Sequence, residues 1–276
     1  MPSIPPTTQP IAQPITLPLP LTANCSILFP DLPITARPAA AAAAGFDAVE
    51  FWWPFERSVP GDAEIDGFVT AVSDAGVVLS GLNFTGGDMA AGERGILSDP
   101  ARRAEFADNV DVAVGIGERL GATGFNALYG NRLDGLDPAA QDEAAAENLA
   151  LAGRAAARIG AVALLEPISG IDRYPLRTAA DAVAVLDRTG SDDVRLLLDV
   201  FHLAVNGDDP AAAIDQHADR IGHVQIADAP GRGEPGTGTL PIAALVDRVV
   251  AAGYRGRISL EYRPVTADPF GWLTVR

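Results

Sequence analysis

Eight short apolar runs alternate with Ala-rich stretches of helical character, and that alternation restricts the fold more than any other feature of the chain. The runs lie near Leu21–Cys25, Ala48–Trp52, Val77–Asn83, Gly124–Leu128, Ala161–Glu166, Val194–Asp199, Ile221–Ile226 and Arg257–Tyr262. Helical stretches fall between them, near Arg37–Ala44, Asp62–Asp74, Pro100–Leu120, Pro138–Ile159, Thr178–Arg188, Pro210–Ala218 and Pro241–Ala252. Several open on a proline preceded by Asp or Arg, which suits the first helical turn, where a missing N–H leaves no bond unmade. Strands separated by helices imply a parallel sheet, because parallel neighbours need a crossover. Eight such units imply closure into a single (β/α)8 TIM barrel, eight parallel strands inside a ring of helices. The 276 residues suit one such domain, which is typically about 250 residues long. The barrel is expected over residues 21–276. Residues 1–20, broken repeatedly by proline, read as an extended, poorly ordered tail, neither a signal peptide nor a helix.

Composition excludes several classes of function. The net charge of −16 argues against a nucleic-acid partner, which needs a basic footprint. No apolar stretch approaches the roughly 18 to 20 residues that cross a membrane. All 20 basic residues are arginine, so lysine Schiff-base chemistry and a lysine-bearing phosphate loop are both excluded. Three histidines and a lone cysteine, Cys25, make a Cys/His zinc site a poor expectation. One cysteine also precludes an intrachain disulfide, which fits a reducing cytoplasm.

Four oxygen-bearing side chains close the last four runs: Glu166, Asp199, Gln225 and Glu261, spaced 33, 26 and 36 residues apart. Each gap is one strand-plus-helix unit, and successive barrel strands end side by side on the face that carries the chemistry. Two Glu, one Asp and an amide oxygen should therefore converge. Three carboxylates crowd together only around a cation, and an all-oxygen set favours Mn2+ or Mg2+. Such an ion suits enolisation, since it polarises a carbonyl and its neighbouring hydroxyl and acidifies the C–H between them. Glu166 and Glu261 would flank the substrate and serve as the acid/base pair. Taken singly, each residue has a plainer reading: Asp199 as a helix cap, Glu261 as a strand-end charge.

LLEP, LDVFH, HVQIADAPGRGEPGTG and LEYRP, with the loop GGDMAAGERG, resemble the hydroxypyruvate isomerase family within the xylose-isomerase-like barrel superfamily. The likeness runs from about Asn24 to Pro264 and omits the proline-rich start. It implies one divalent ion held by Glu166, Asp199, Gln225 and Glu261, with Glu166 and Glu261 as catalytic pair. It also implies interconversion of hydroxypyruvate and 2-hydroxy-3-oxopropanoate. Gln225 favours that branch over the sugar epimerases, in which histidine is usual at this place. A 2-oxo-tetronate isomerase or a keto-sugar 3-epimerase are the alternatives on the same barrel. A non-catalytic sugar-acid binder fits less well, because it needs no base.

Around this set, His202 is expected to hydrogen-bond substrate. His223 points into the barrel one layer lower, in a buried hydrogen-bonding role beneath the ligands. Arg232 has two readings, an ion pair with Glu234 that shapes its loop or a bidentate clamp on a substrate carboxylate. Asn83, Arg94 and Arg132 are further carboxylate-binding candidates. Trp52, Trp53 and Phe55 form an apolar wall, and Glu50 is a buried acid with no assigned role. Three Gly-rich loops, Asn83–Gly95, Tyr129–Arg132 and Asp228–Gly238, should border the site. The expected partner is a small 2-keto acid or sugar, with no nucleic acid and no membrane; a homo-oligomer is compatible with the sequence.

Overall fold

Each apolar run becomes a strand in the computed structural model, which describes residues 14–274. The strands are β1 (Leu21–Asn24), β2 (Ala48–Phe51), β3 (Val78–Asn83), β4 (Gly124–Asn126), β5 (Val162–Leu165), β6 (Val194–Asp199), β7 (Ile221–Ile226) and β8 (Ile258–Leu260). All neighbours pair in parallel in sequence order, and β8 closes on β1 through Leu21↔Ile258, Thr22↔Ser259 and Ala23↔Leu260. Strands covered by helices outside and by one another inside are buried on both faces, so β1, β2, β4 and β8 are buried throughout. This is the (β/α)8 barrel that the alternation predicts.

Several strands stop one or two residues before the apolar run does. β5 ends at Leu165 and β8 at Leu260, so Glu166 and Glu261 sit just beyond the ladder, where the chain turns over the barrel mouth. The stretch from Pro100 starts as a tight turn, Pro100–Arg102, before the helix Arg103–Leu120. Two short helices, Cys25–Leu28 and Val200–Asn206, were not expected. Each is capped by the last residue of the strand before it, Asn24 and Asp199, whose side-chain oxygens accept backbone N–H groups of the first turn.

Helix packing shows how close the fit is. The helix Arg103–Leu120 buries Phe106, Val110, Val114 and Leu120 against the barrel. Fully burying one such side chain is worth roughly 1.5–3 kcal/mol. On the same face a Cβ at Gly117 would stand 2.4 Å from the Phe125 ring, so Gly117→Ala would push the helix off β4.

The tail expected over residues 1–20 falls largely on residues 1–13, outside the described residues. Of its remainder, Ile15 donates to the Trp272 carbonyl at 2.8 Å and accepts from Thr274 at 2.9 Å, tying the chain's two ends together. Among the described residues no helix is long and apolar enough to cross a membrane.

Candidate active site

Parallel pairing brings the ends of β5 to β8 to one side of the mouth. Asp199 stands in register with Gln225, and Gln225 with Ser259, two residues before Glu261. Glu166, Asp199, Gln225 and Glu261 are all at most 4% exposed. The four residues that the spacing selects are thus neighbours. A cavity of about 550 Å³ opens above them, bordered by Trp52, Asn83, Arg94, His202, Arg232 and Glu261 among others.

Each carboxylate divides its two oxygens. Asp199 uses Oδ1 to cap its helix, accepting from Phe201 N at 2.8 Å and His202 N at 3.3 Å, while Oδ2 is buried without a hydrogen-bond partner. The capping and the site-facing readings of Asp199 both hold, one per oxygen. Glu166 Oε2 accepts from Asn126 Nδ2 at 2.7 Å. Glu261 Oε1 accepts from Trp52 Nε1 at 2.9 Å and from Arg232 Nη2 at 2.8 Å. Gln225 donates through Nε2 to Glu50 at 2.7 Å, and its Oε1 is buried with no partner.

The electrostatics are those of a crowd of like charges. Burial, followed by the charges of Glu261 and Asp199, pushes Glu166 well above the usual carboxylate range. Burial pushes Glu261 up to about 8 and Asp199 up to about 6, against the pull of Arg232. Burial depresses Arg232, but Glu261, Asp199 and Glu166 more than offset it and hold the guanidinium charged. One arginine cannot balance three ionised carboxylates, so without a further positive charge they hold on to their protons.

Buried oxygens that accept no hydrogen bond, Asp199 Oδ2 and Gln225 Oε1, beside carboxylates that need positive charge to ionise, are what a bound cation would satisfy. Ligand atoms of Glu166, Asp199 and His202 lie within 4.8 Å of one another. His202 is nevertheless a poor ligand. Its Nδ1 accepts from Ser169 N at 2.9 Å, and burial holds its pKa well below 6.5. The neutral ring must then carry its hydrogen on Nε2, which lies 3.8 Å from Glu166 and 3.7 Å from Asp199. It faces the cluster as a donor. Free acceptor capacity lies on Glu166, Asp199, Gln225 and Glu261, and on Asn126 Oδ1, which is also buried without a hydrogen-bond partner.

The remaining candidates divide. Asn83 and Arg94 border the cavity. Arg132 is turned away, ion-paired with Asp142 at 2.7 Å and stacked on Tyr129. His223 lies beneath the ligands, its Nε2 2.8 Å from Glu50 Oε2. The pairing of Arg232 with Glu234 does not form. Arg232 takes a left-handed backbone (φ 56°), lies over the Phe201 ring and reaches Glu261 and Asp199 instead. Glu234 Oε1 accepts from Val265 N, Thr266 N and Thr266 Oγ1, pinning the β7 loop to the segment after β8. Trp52 is more than an apolar wall, since its indole N–H holds Glu261. The hydrogen-bonding roles of Trp52, Asn126 and Asn24 are not marked in the sequence; the one signal is a polar Asn inside the apolar fourth run.

The family described as xylose isomerase-like TIM barrel matches residues 38–273. A putative hydroxypyruvate isomerase of Streptomyces coelicolor is 51% identical over 261 residues, covering 91% of this chain and 94% of that protein. The 2-oxo-tetronate isomerase of Cupriavidus necator is 35% identical over 260 residues, covering 91% and 96%. Among solved structures, an AP endonuclease, family 2, of Brucella melitensis superposes with a TM-score of 0.82 at 31% identity, covering 92% and 95%. The chain belongs to the hydroxypyruvate isomerase family of xylose isomerase-like TIM barrels, and it is an isomerase.

Proposed function

We propose that the protein interconverts hydroxypyruvate and 2-hydroxy-3-oxopropanoate, with one divalent ion, Mn2+ or Mg2+, held by Glu166, Asp199, Gln225 and Glu261. The observation that carries the metal is the pair of buried oxygens that accept no hydrogen bond, Asp199 Oδ2 and Gln225 Oε1, at the mouth of the barrel. When bound, the ion supplies Lewis acidity, polarising the keto and hydroxyl oxygens of the substrate. The protein's own residues do the rest.

One glutamate of the Glu166–Glu261 pair removes a proton from C3 of hydroxypyruvate, and the C–H electrons pass into the C2–C3 bond as the C2 carbonyl becomes an enediol oxygen. A proton delivered to C2 by the partner, with the C3 hydroxyl proton passing to the C2 oxygen, leaves an aldehyde at C3 and a hydroxyl at C2. Asn126 and Trp52 each hold one carboxylate oxygen of this pair, so the remaining oxygens are aimed rather than free to rotate. The Nε2–H of His202 is placed to donate to a substrate oxygen. Arg232, with Arg94 and Arg263 on the cavity wall, supplies positive charge for the substrate carboxylate.

A four-carbon 2-oxo acid is the second reading. A cavity of about 550 Å³ leaves ample room beyond a three-carbon acid, and the Cupriavidus relative named above is 35% identical. A nuclease function is disfavoured by the net charge of −16, which repels a phosphate backbone. The test is proton NMR of hydroxypyruvate in D2O with Mn2+-loaded protein, repeated after chelation and restoration. Metal-dependent loss of the C3 signal with growth of an aldehyde hydrate supports the reading. No exchange with hydroxypyruvate, but exchange with 2-oxo-tetronate, moves the assignment to the longer acid.

A further inference from the structure

Glu50 lies in β2, 4% exposed, and takes no part in the reaction proposed above. Its oxygens are nonetheless saturated. Oε1 accepts from Asn24 Nδ2 at 2.9 Å and from Gln225 Nε2 at 2.7 Å, and Oε2 lies 2.8 Å from His223 Nε2. β3 makes room for it: a Cβ on Gly81 would sit 3.1 Å from Glu50 Oε2 and 3.2 Å from its Cβ.

A carboxylate accepts hydrogen bonds and donates none. The edge of the Gln225 amide that meets Glu50 must therefore be its NH2, and Oε1 must face the other way, where it is buried and partnerless. Left alone, the amide would turn round. Asp199 is its register neighbour, and a carboxylate beside it attracts an N–H and repels a carbonyl oxygen. Glu50 opposes that turn from below.

We infer that Glu50 is a positioning residue that orients the Gln225 amide, so that a neutral oxygen rather than an NH2 group is offered to the cation. The inference rests on the metal site proposed above. It explains why a glutamine can stand among three carboxylate ligands: its direction is set by a fourth carboxylate that never meets the ion.

The test is a cycle of Mn2+ affinities measured by electron paramagnetic resonance. Glu50→Leu should lower Mn2+ affinity by roughly 10- to 100-fold, the range for residues that orient metal ligands. Glu50→Gln still offers a carbonyl to Gln225 and should stay close to wild type. In a Gln225→Ala background, Glu50→Leu should cost nothing further, because no amide remains to be oriented. Equal losses for Glu50→Leu and Glu50→Gln would make Glu50 a mere negative charge and overturn the inference, as would an undiminished loss in the Gln225→Ala background. Should Glu50→Leu fail to fold, wild-type protein labelled with 13C,15N-glutamine decides the matter. On Mg2+ binding the Gln225 carbonyl carbon should shift while its Nε2 hydrogens stay protected from exchange; the reverse pattern overturns the inference. Wild-type protein that takes up no Mn2+ would remove the metal reading itself, and this inference with it.

Discussion

Two buried polar layers are stacked in this barrel, and they are built on opposite terms. In the lower one, burial pushes Glu50 upward, yet the His223 ring and the hydrogen bonds to Glu50 more than offset it and leave its pKa below the usual value. In the upper one, Glu166, Asp199 and Glu261 are driven up, and two buried acceptors have no donors. Both layers lie inside one rigid scaffold, so dielectric alone does not separate them. The difference is compensation. A buried carboxylate supplied with donors is part of the architecture, whereas buried carboxylates short of donors await something that the chain does not provide.

The strongest way to break this contrast is to disable the upper layer while sparing the fold. Glu166→Gln should lower the rate of C3 deuterium exchange by about 10³-fold, within the range for general acid–base groups, with the circular dichroism unchanged. Exchange at the wild-type rate would end the acid/base assignment.

Next in size is the response to metal and pH. Asp199 at about 6 and Glu261 at about 8 lie above their ordinary values, so the metal-free folded state binds protons more tightly than the unfolded chain. Their contribution to stability is whole below about pH 4. It is lost as pH climbs through 6 and then 8. Mn2+ needs the deprotonated ligands and reverses the trend. At a hundredfold excess over its dissociation constant it should add about 2.7 kcal/mol. Melting curves with and without Mn2+ should show a larger gain at pH 8 than at pH 5; equal gains would argue against a carboxylate site.

The lower layer should answer differently. Asn24→Ala removes one of the two donors to Glu50 Oε1 and the cap of the helix Cys25–Leu28, and leaves the Gln225 bond. Unfolding in urea should show a loss of about 2–5 kcal/mol, from roughly 1.5–3 for the hydrogen bond to a charged group and 0.5–2 for the cap, with turnover close to wild type. A large catalytic defect without loss of stability would blur the division between layers. Smallest of all, Arg248→Ala breaks only an exposed pair with Asp215 and should leave the urea midpoint within error of wild type.

The sequence makes the barrel and its ligand set legible for the same reason: both are periodic. A strand, a crossover helix and a strand-end residue recur at one unit's spacing, so Glu166, Asp199, Gln225 and Glu261 can be picked out by counting. What supports them is not periodic. Trp52 meets Glu261 at a sequence separation of 209, and Glu50 meets Gln225 at 175, contacts that exist only once the barrel has closed. Of the two readings of Arg232, the ion pair with Glu234 is the one its neighbours in sequence suggest, and it does not form. The left-handed backbone of Arg232 turns the side chain back over the mouth, and no neighbour in sequence reports that turn. Asp199 shows the limit in another way, because capping a helix and facing the site were weighed as rivals although a carboxylate has two oxygens.

The four ligand positions occupy consecutive strands, β5 to β8, and so fill one half of the circle. Asn83, Met89, Arg94 and Leu128, which border the cavity from across it, belong to β3, β4 and the loops that follow them. A library varied only on that far side would explore new acids and sugars while inheriting an intact reaction centre. The barrel is in this sense a two-part tool whose handle and blade can be exchanged separately.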